Sequence, residues 1–230
     1  MAYTKSALIT LINQYIGRAD LSDFTDDFLN MAIYRVARSH NWRALQADAK
    51  IDLVADTASY DFPTSGVDGN AITIKNILSA RLDDNAASGR SVTVVAWIPA
   101  ERFDLLYPDY EQVTAARPRV GSDWRKKIVL YPRPDSGDYD LLLRVDCWPQ
   151  PMTNDTDTLV FGDHVADAVI AAACAEAFLS TDEQDKATYW EQVLERKIRA
   201  AALADAGGIL PISNVKPPTP TAPNIIPGGV

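Results

Sequence analysis

Histidine and cysteine are nearly missing from this chain of 230 residues: His40, His164, Cys147 and Cys174 are all there are. Structural zinc needs four such ligands at short spacings, and these four have none. A Ser-His-Asp or Cys-His triad has equally few bases to draw on. His40 follows Arg38-Ser39 at a helix end and His164 falls in the first turn of a helix, both positions of surface or capping residues. Cys147 on a strand and Cys174 on an apolar helix read as small buried hydrophobes, although the sequence leaves a bridge between them open. No GxxxxGK[ST] or GxGxxG phosphate loop occurs. Positive charge is also short. Against 31 Asp and Glu there are 22 Lys and Arg, a net charge of −9, which argues against general binding to nucleic acid or anionic membranes, since phosphate contact needs clustered cations. No apolar run approaches the ~20 residues of a membrane span. Met1-Ala-Tyr-Thr4 leads straight into a helix pattern with no secretory signal. The expectation is a protein made in a reducing cytoplasm, or carried out only within a larger particle.

What is present is ordinary in amount and unusual in arrangement. Hydrophobic residues at 47% and charged residues at 23% are those of a globular protein long enough to bury a proper core. The most distinctive stretch runs from Asp163 to the end. Between Val165 and Leu179 only Asp167 and Glu176 are charged and seven positions are alanine. A helix so apolar all round is buried, and its small side chains let neighbouring backbones come close. Thr181-Asp-Glu-Gln184 reads as a capping box opening a second helix, with Trp190, Val193, Leu194, Ile198 and Ala201 on one face and Gly207-Gly208 as its stop. Ile209 to Val230 then carries six prolines and a single charge, Lys216. Proline's missing N–H and fixed φ exclude helix and internal sheet there, leaving an extended arm.

The N-terminal part is helical as well. Thr4 is a candidate N-cap, followed by Leu8, Leu11, Ile12, Tyr15 and Ile16 at 3.6-residue spacing until Gly17. A second helix begins near Thr25, with Asp26 and Asp27 in its first turn and Phe24 and Leu29 at staple spacing, and it continues towards Trp42. Between these helical ends the period drops to two. Strands are expected around Ala49–Leu53, Ser59–Pro63, Ile72–Leu82, Val92–Ile98 (Val92, Val94, Ala96 and Ile98 alternating), Ile128–Pro132 and Tyr139–Trp148, with a short helix from Pro99 to Tyr107. Asp83 to Arg90 reads as a polar hairpin loop and Pro134 to Gly137 as a turn. Asp83-Asp84 and Asp135/Asp138 could be imagined as a glycosidase pair, but hairpin carboxylates are usually solvated. Asn154 to Asp157 superficially suggests a calcium loop, yet it lacks the central glycine and closing glutamate. No residue merits a catalytic assignment.

The order of four structural motifs adds a resemblance. The run Leu130-Tyr-Pro-Arg-Pro-Asp135, the strand Tyr139 to Arg144, the pair Pro149-Gln-Pro151 and an acidic-Thr turn lead into the alanine-rich helix. Asn41-Trp42 and Ser59 to Pro63 stand ahead of them. In this order they resemble the tailed-bacteriophage head-to-tail adaptor (connector) proteins over nearly the whole chain. The resemblance implies a ring, usually of twelve copies, below the capsid portal and around the DNA channel, with a C-terminal arm meeting the portal.

Together these readings predict an α+β protein. Residues 1–44 form a helical hairpin, 45–162 an inserted antiparallel β-sandwich or barrel domain, 163–208 helices that pack on the hairpin, and 209–230 an extended proline-rich arm. The expected function is a structural adaptor ring joining capsid to tail, without cofactor or metal. Its expected partners are further copies, the portal protein and the next tail or nozzle protein, with genome DNA passing unbound. Ile209, Leu210, Ile212, Val215, Ile225, Ile226 and Val230 are the candidate portal-binding side chains. Asp83, Asp84, Asn85 and Arg90 are the candidates for contact with the next tail component. The alternatives are a virion-associated peptidoglycan hydrolase and another neck or tail completion protein.

Overall fold

The computed structural model describes residues 3–84 and 91–207. Among them are five α-helices and seven strands: α1 (Lys5–Ile16), α2 (Thr25–Ser39), β1 (Gln46–Asp52), β2 (Ser59–Asp61), β3 (Ile74–Asp84), β4 (Ser91–Trp97), α3 (Ala100–Leu106), β5 (Val120–Trp124), β6 (Lys127–Tyr131), β7 (Tyr139–Cys147), α4 (Asp163–Ser180) and α5 (Gln184–Asp205). Their side chains gather into two apolar cores. One is built from α1, α2, α4 and α5 with Trp42, Met152, Leu159 and Phe161. The other lies on the sheet, around Ala49, Leu82, Val95, Leu130, Leu141 and Leu143.

Local chemistry explains the helix ends. The Thr4 hydroxyl accepts the Ala7 N–H at 3.3 Å, and Gly17, in the left-handed region at φ 63°, closes α1 by donating its N–H to Asn13 O. Twelve of the eighteen residues of α4 are buried, and α1, α2 and α5 all pack against it. Two acidic residues of α4 point to its neighbours: Asp167 pairs with Lys197 of α5 and Glu176 with Arg35 of α2, whose other nitrogen reaches Glu191 of α5.

Two local expectations fail. The capping box does not form, since α5 begins at Gln184 after Glu183 with no side-chain cap. Thr181 instead donates its hydroxyl to Ala177 O and Phe178 O and closes α4, because Asp182 takes a left-handed turn at φ 57° that separates Thr181 from the next helix. Phe24 is 55% exposed, so no staple with buried Leu29 is made. A 3-10 turn over Ala19–Phe24 buries Leu21 in its place.

The strands form one sheet in the order β1-β7-β3-β4-β5-β6-β2. Chain connectivity requires it to curl. Seven strands at about 4.8 Å spacing would set the edges of a flat sheet roughly 29 Å apart, but the Cα steps from Asp52 to Ser59 reach at most about 25 Å. The outcome is a half-barrel, a single curled sheet where a sandwich or barrel was expected. Its strands are not all antiparallel: β4 and β5 run parallel, at Ala96–Val120 and Trp97–Gly121, because α3 and the following segment carry the chain back across the sheet. Strand β5 was not foreseen, since Val-Gly-Ser-Asp-Trp has no alternation. Its Gly121 is explained by the neighbour, as a Cβ there would lie 2.6 Å from the Trp97 ring. In β4 the buried residue is Val95, while Val94 is 74% exposed and Val92 51%. The register sets Val94 beside Arg81 and Val95 beside Ala80, so the alternation read from the sequence picks out the outward face.

Candidate assembly surfaces

Three places on the molecule combine exposed or charged side chains with a structural reason to be there. The first is the far end of the β3–β4 hairpin. Asp83 and Asp84 lie within β3, opposite Asp140 and Tyr139 of β7 and Val92 and Ser91 of β4, so the loop begins later than the sequence suggested. Asp83 is not a solvated tip residue; it is only 2% exposed. Arg117 clamps the hairpin, with Nη1 3.8 Å from the Asp84 carboxylate and Nη2 donating to Ser91 O and Oγ at 3.2 Å. The loop candidates Asn85 and Arg90 lie outside the described residues.

The second place is the end of α5, where the proline-rich segment starts. The Asp205 carboxylate accepts the Arg43 N–H at 3.1 Å and has His40 Nε2 at 3.6 Å and His164 Nε2 at 3.9 Å. Both histidines of the chain therefore meet at one aspartate, a convergence that no sequence spacing announces. The arm candidates Ile209, Leu210, Ile212, Val215, Ile225, Ile226 and Val230 fall outside the described residues.

The third place is the joint between the two cores. Lys75 of β3 donates to Ala37 O at the end of α2, at 2.9 Å. Its Nζ also lies 3.1 Å from the fully buried Asp146 carboxylate. That approach is an ion pair without hydrogen-bond alignment, so neither Asp146 oxygen has a hydrogen-bonded partner among the described residues. Trp148 covers the pair, its ring 5.6 Å from Lys75 Nζ, 5.9 Å from the Arg38 guanidinium and 6.2 Å from the Tyr34 ring. Beside it opens a groove of about 690 Å³ lined by Ala44, Ala47, Ile72, Trp148, Pro151 and Val160 among others.

The residues weighed for chemistry have structural roles. Asp135 accepts the Tyr139 hydroxyl at 2.9 Å and Asp138 the Ser136 hydroxyl at 2.6 Å. Asp157 accepts the N–H groups of Asn154 and Thr153 at 2.8 and 2.7 Å, and these bonds hold its carboxyl below the usual range. The turn they shape receives the start of α1, where Lys5 N–H donates to Asp157 O and the Lys5 ammonium to Thr153 O. Cys147 and Cys174 belong to different cores and are free. Burial pushes their thiols up to about 11 and about 12. Among the described residues no group of three or more His, Cys, Asp or Glu is placed to hold a metal ion, and no helix is long and apolar enough to cross a membrane.

The family model of the SU10 adaptor protein matches residues 3–213. The chain belongs to this family of phage head-to-tail adaptors. The match spans both cores and the first residues beyond α5, as the resemblance in motif order implies. No curated protein matches the chain.

Proposed function

We propose that this protein is a non-enzymatic structural subunit of a phage neck, one of a ring of copies that attaches to the portal protein and carries the next tail component. The observation that carries this reading is the family match along almost the whole chain. The fold supports it. Four helices enclose an alanine-lined core, Arg117 clamps the described ends of the β3–β4 hairpin, and α5 ends at a pinned Asp205. Residues 1–44 with 163–208 act as the helical body, 45–162 as the β domain and 209–230 as the arm. In this reading the arm's Ile and Val side chains, with Leu210, bind the portal. The hairpin from Asp83 to Arg90, flanked by exposed Val92 and Val94, meets the next tail protein. A heterologous contact between unlike patches closes the ring. The net charge of −9 suits a channel through which DNA passes without being gripped.

Electron microscopy of intact particles carrying a tagged copy tests the reading. The tag is expected as a symmetric ring between capsid and tail. A tag inside the head, along the tail tube, or in a single copy would overturn it.

A further inference from the structure

We propose that the groove at the joint of the two cores is a receptor for the chain's own C-terminal segment, which lies there before the protein meets any partner. The inference is independent of where that segment goes in an assembled particle.

Position is the first argument. The segment starts just beyond Asp205, whose carboxylate accepts the N–H of Arg43. The next residue, Ala44, lines the groove and is exposed. The end of α5 is thus held one residue from the groove's rim. Reach is ample, because residues 208–230 span about 70 Å as a polyproline helix.

Chemistry is the second argument. A proline-rich segment is best received by a groove with an indole and rigid apolar walls, since it then binds extended at little entropic cost. Trp148, Pro151, Ile72 and Val160 supply such walls. Charge is the third. Lys216 is the only charged side chain of the segment from Ile209 onward. The groove presents Asp68, which accepts from the backbone and side chain of Asn70 and pairs with no Lys or Arg among the described residues.

The test uses the full-length chain with a spin label on Val215→Cys, the two native thiols being buried. The readout is broadening of the Trp148 indole N–H resonance. Broadening is expected in the labelled chain, unchanged on dilution. It is expected to be absent when isotope-labelled chains without spin label are mixed with spin-labelled chains lacking the isotope. Ala44→Glu, at an exposed position, should restore the sharp signal. Lys216→Glu should lower the ratio of docked to undocked chains about threefold, the size of one exposed ion pair, and the further change Asp68→Lys should recover it. A sharp indole signal in the labelled chain would overturn the proposal. So would broadening in the mixed sample, which would make a second copy the occupant, or broadening untouched by Ala44→Glu.

Discussion

Among single residues, Asp146 is the most exposed to loss of a partner. Its carboxylate is wholly buried and depends on the Lys75 ammonium at 3.1 Å. Removing one member of a buried ion pair leaves a charge that neither water nor protein compensates. Lys75→Met should therefore cost about 3–5 kcal/mol in urea unfolding, and Lys75→Met with Asp146→Leu should regain much of it. A single variant as stable as the parent would show that the pair contributes nothing at the joint. Asp157 yields a pH prediction. Its carboxyl is held down by the N–H groups of Asn154 and Thr153, so the folded state binds its proton less readily than the unfolded chain. The stabilisation is complete above the unfolded carboxylate value of about 3.9 and is lost as pH falls through the lower folded value. Asp157→Asn should be the less stable protein at pH 7 and should lose less on acidification, as read from urea midpoints between pH 6 and 2.5. Neither role was visible in the sequence. Asp146 stands in the strand expected from Tyr139 to Trp148 with no local signal of burial, and it is buried on β7 between β1 and β3 with the Lys75 ammonium beside it.

Whole elements were easier to foresee, wherever local periodicity decides them. The all-round burial of α4 follows from seven alanines and only two charges between Val165 and Leu179. Substituting Ala172, fully buried in that helix, by Leu should cost about 1–3 kcal/mol through overpacking, measured by thermal or urea unfolding. An unchanged midpoint would mean the helices can move apart freely. Strand β5 shows the opposite case. Its place depends on β4 and β6 lying on either side and on Gly121 admitting the Trp97 ring. Gly121→Val should displace that ring, break the 2.8 Å bond from Trp97 Nε1 to Asp123, and shift Trp fluorescence. The outward setting of Val92 and Val94 is likewise set by the neighbouring strands, since alternation identifies two faces but not which is covered. Thr181 had the spacing of a cap, but the left-handed turn at Asp182 gave its hydroxyl to the preceding helix.

For the molecule as a whole, the change of period from 3.6 to 2 and back foretold an α+β chain. Curling of the sheet is a long-range consequence of strand order, which no local pattern records. The apolar arm and the hairpin tip were read from composition, and they fall outside the described residues. The prediction at this scale concerns attachment. A chain ending at Gly208 should stay folded and soluble, since among the described residues both cores are complete by Ala202, yet should fail to co-sediment with DNA-filled heads. Undiminished co-sedimentation would transfer the portal contact to the helical body.

The dependence of α1 and α2 on α4 also has a consequence in time. The hairpin's apolar faces are covered by a helix that begins at Asp163, with the whole sheet encoded between. At a synthesis rate of about 5–20 residues per second, the hairpin waits roughly 6–30 s for its cover on the ribosome. During that wait Leu8, Ile12, Leu29, Ile33 and Val36, all buried in the finished protein, have only each other and whatever chaperone attends the nascent chain. The helical core can therefore close only once α4 has been made, after the β segment has had its own opportunity to fold.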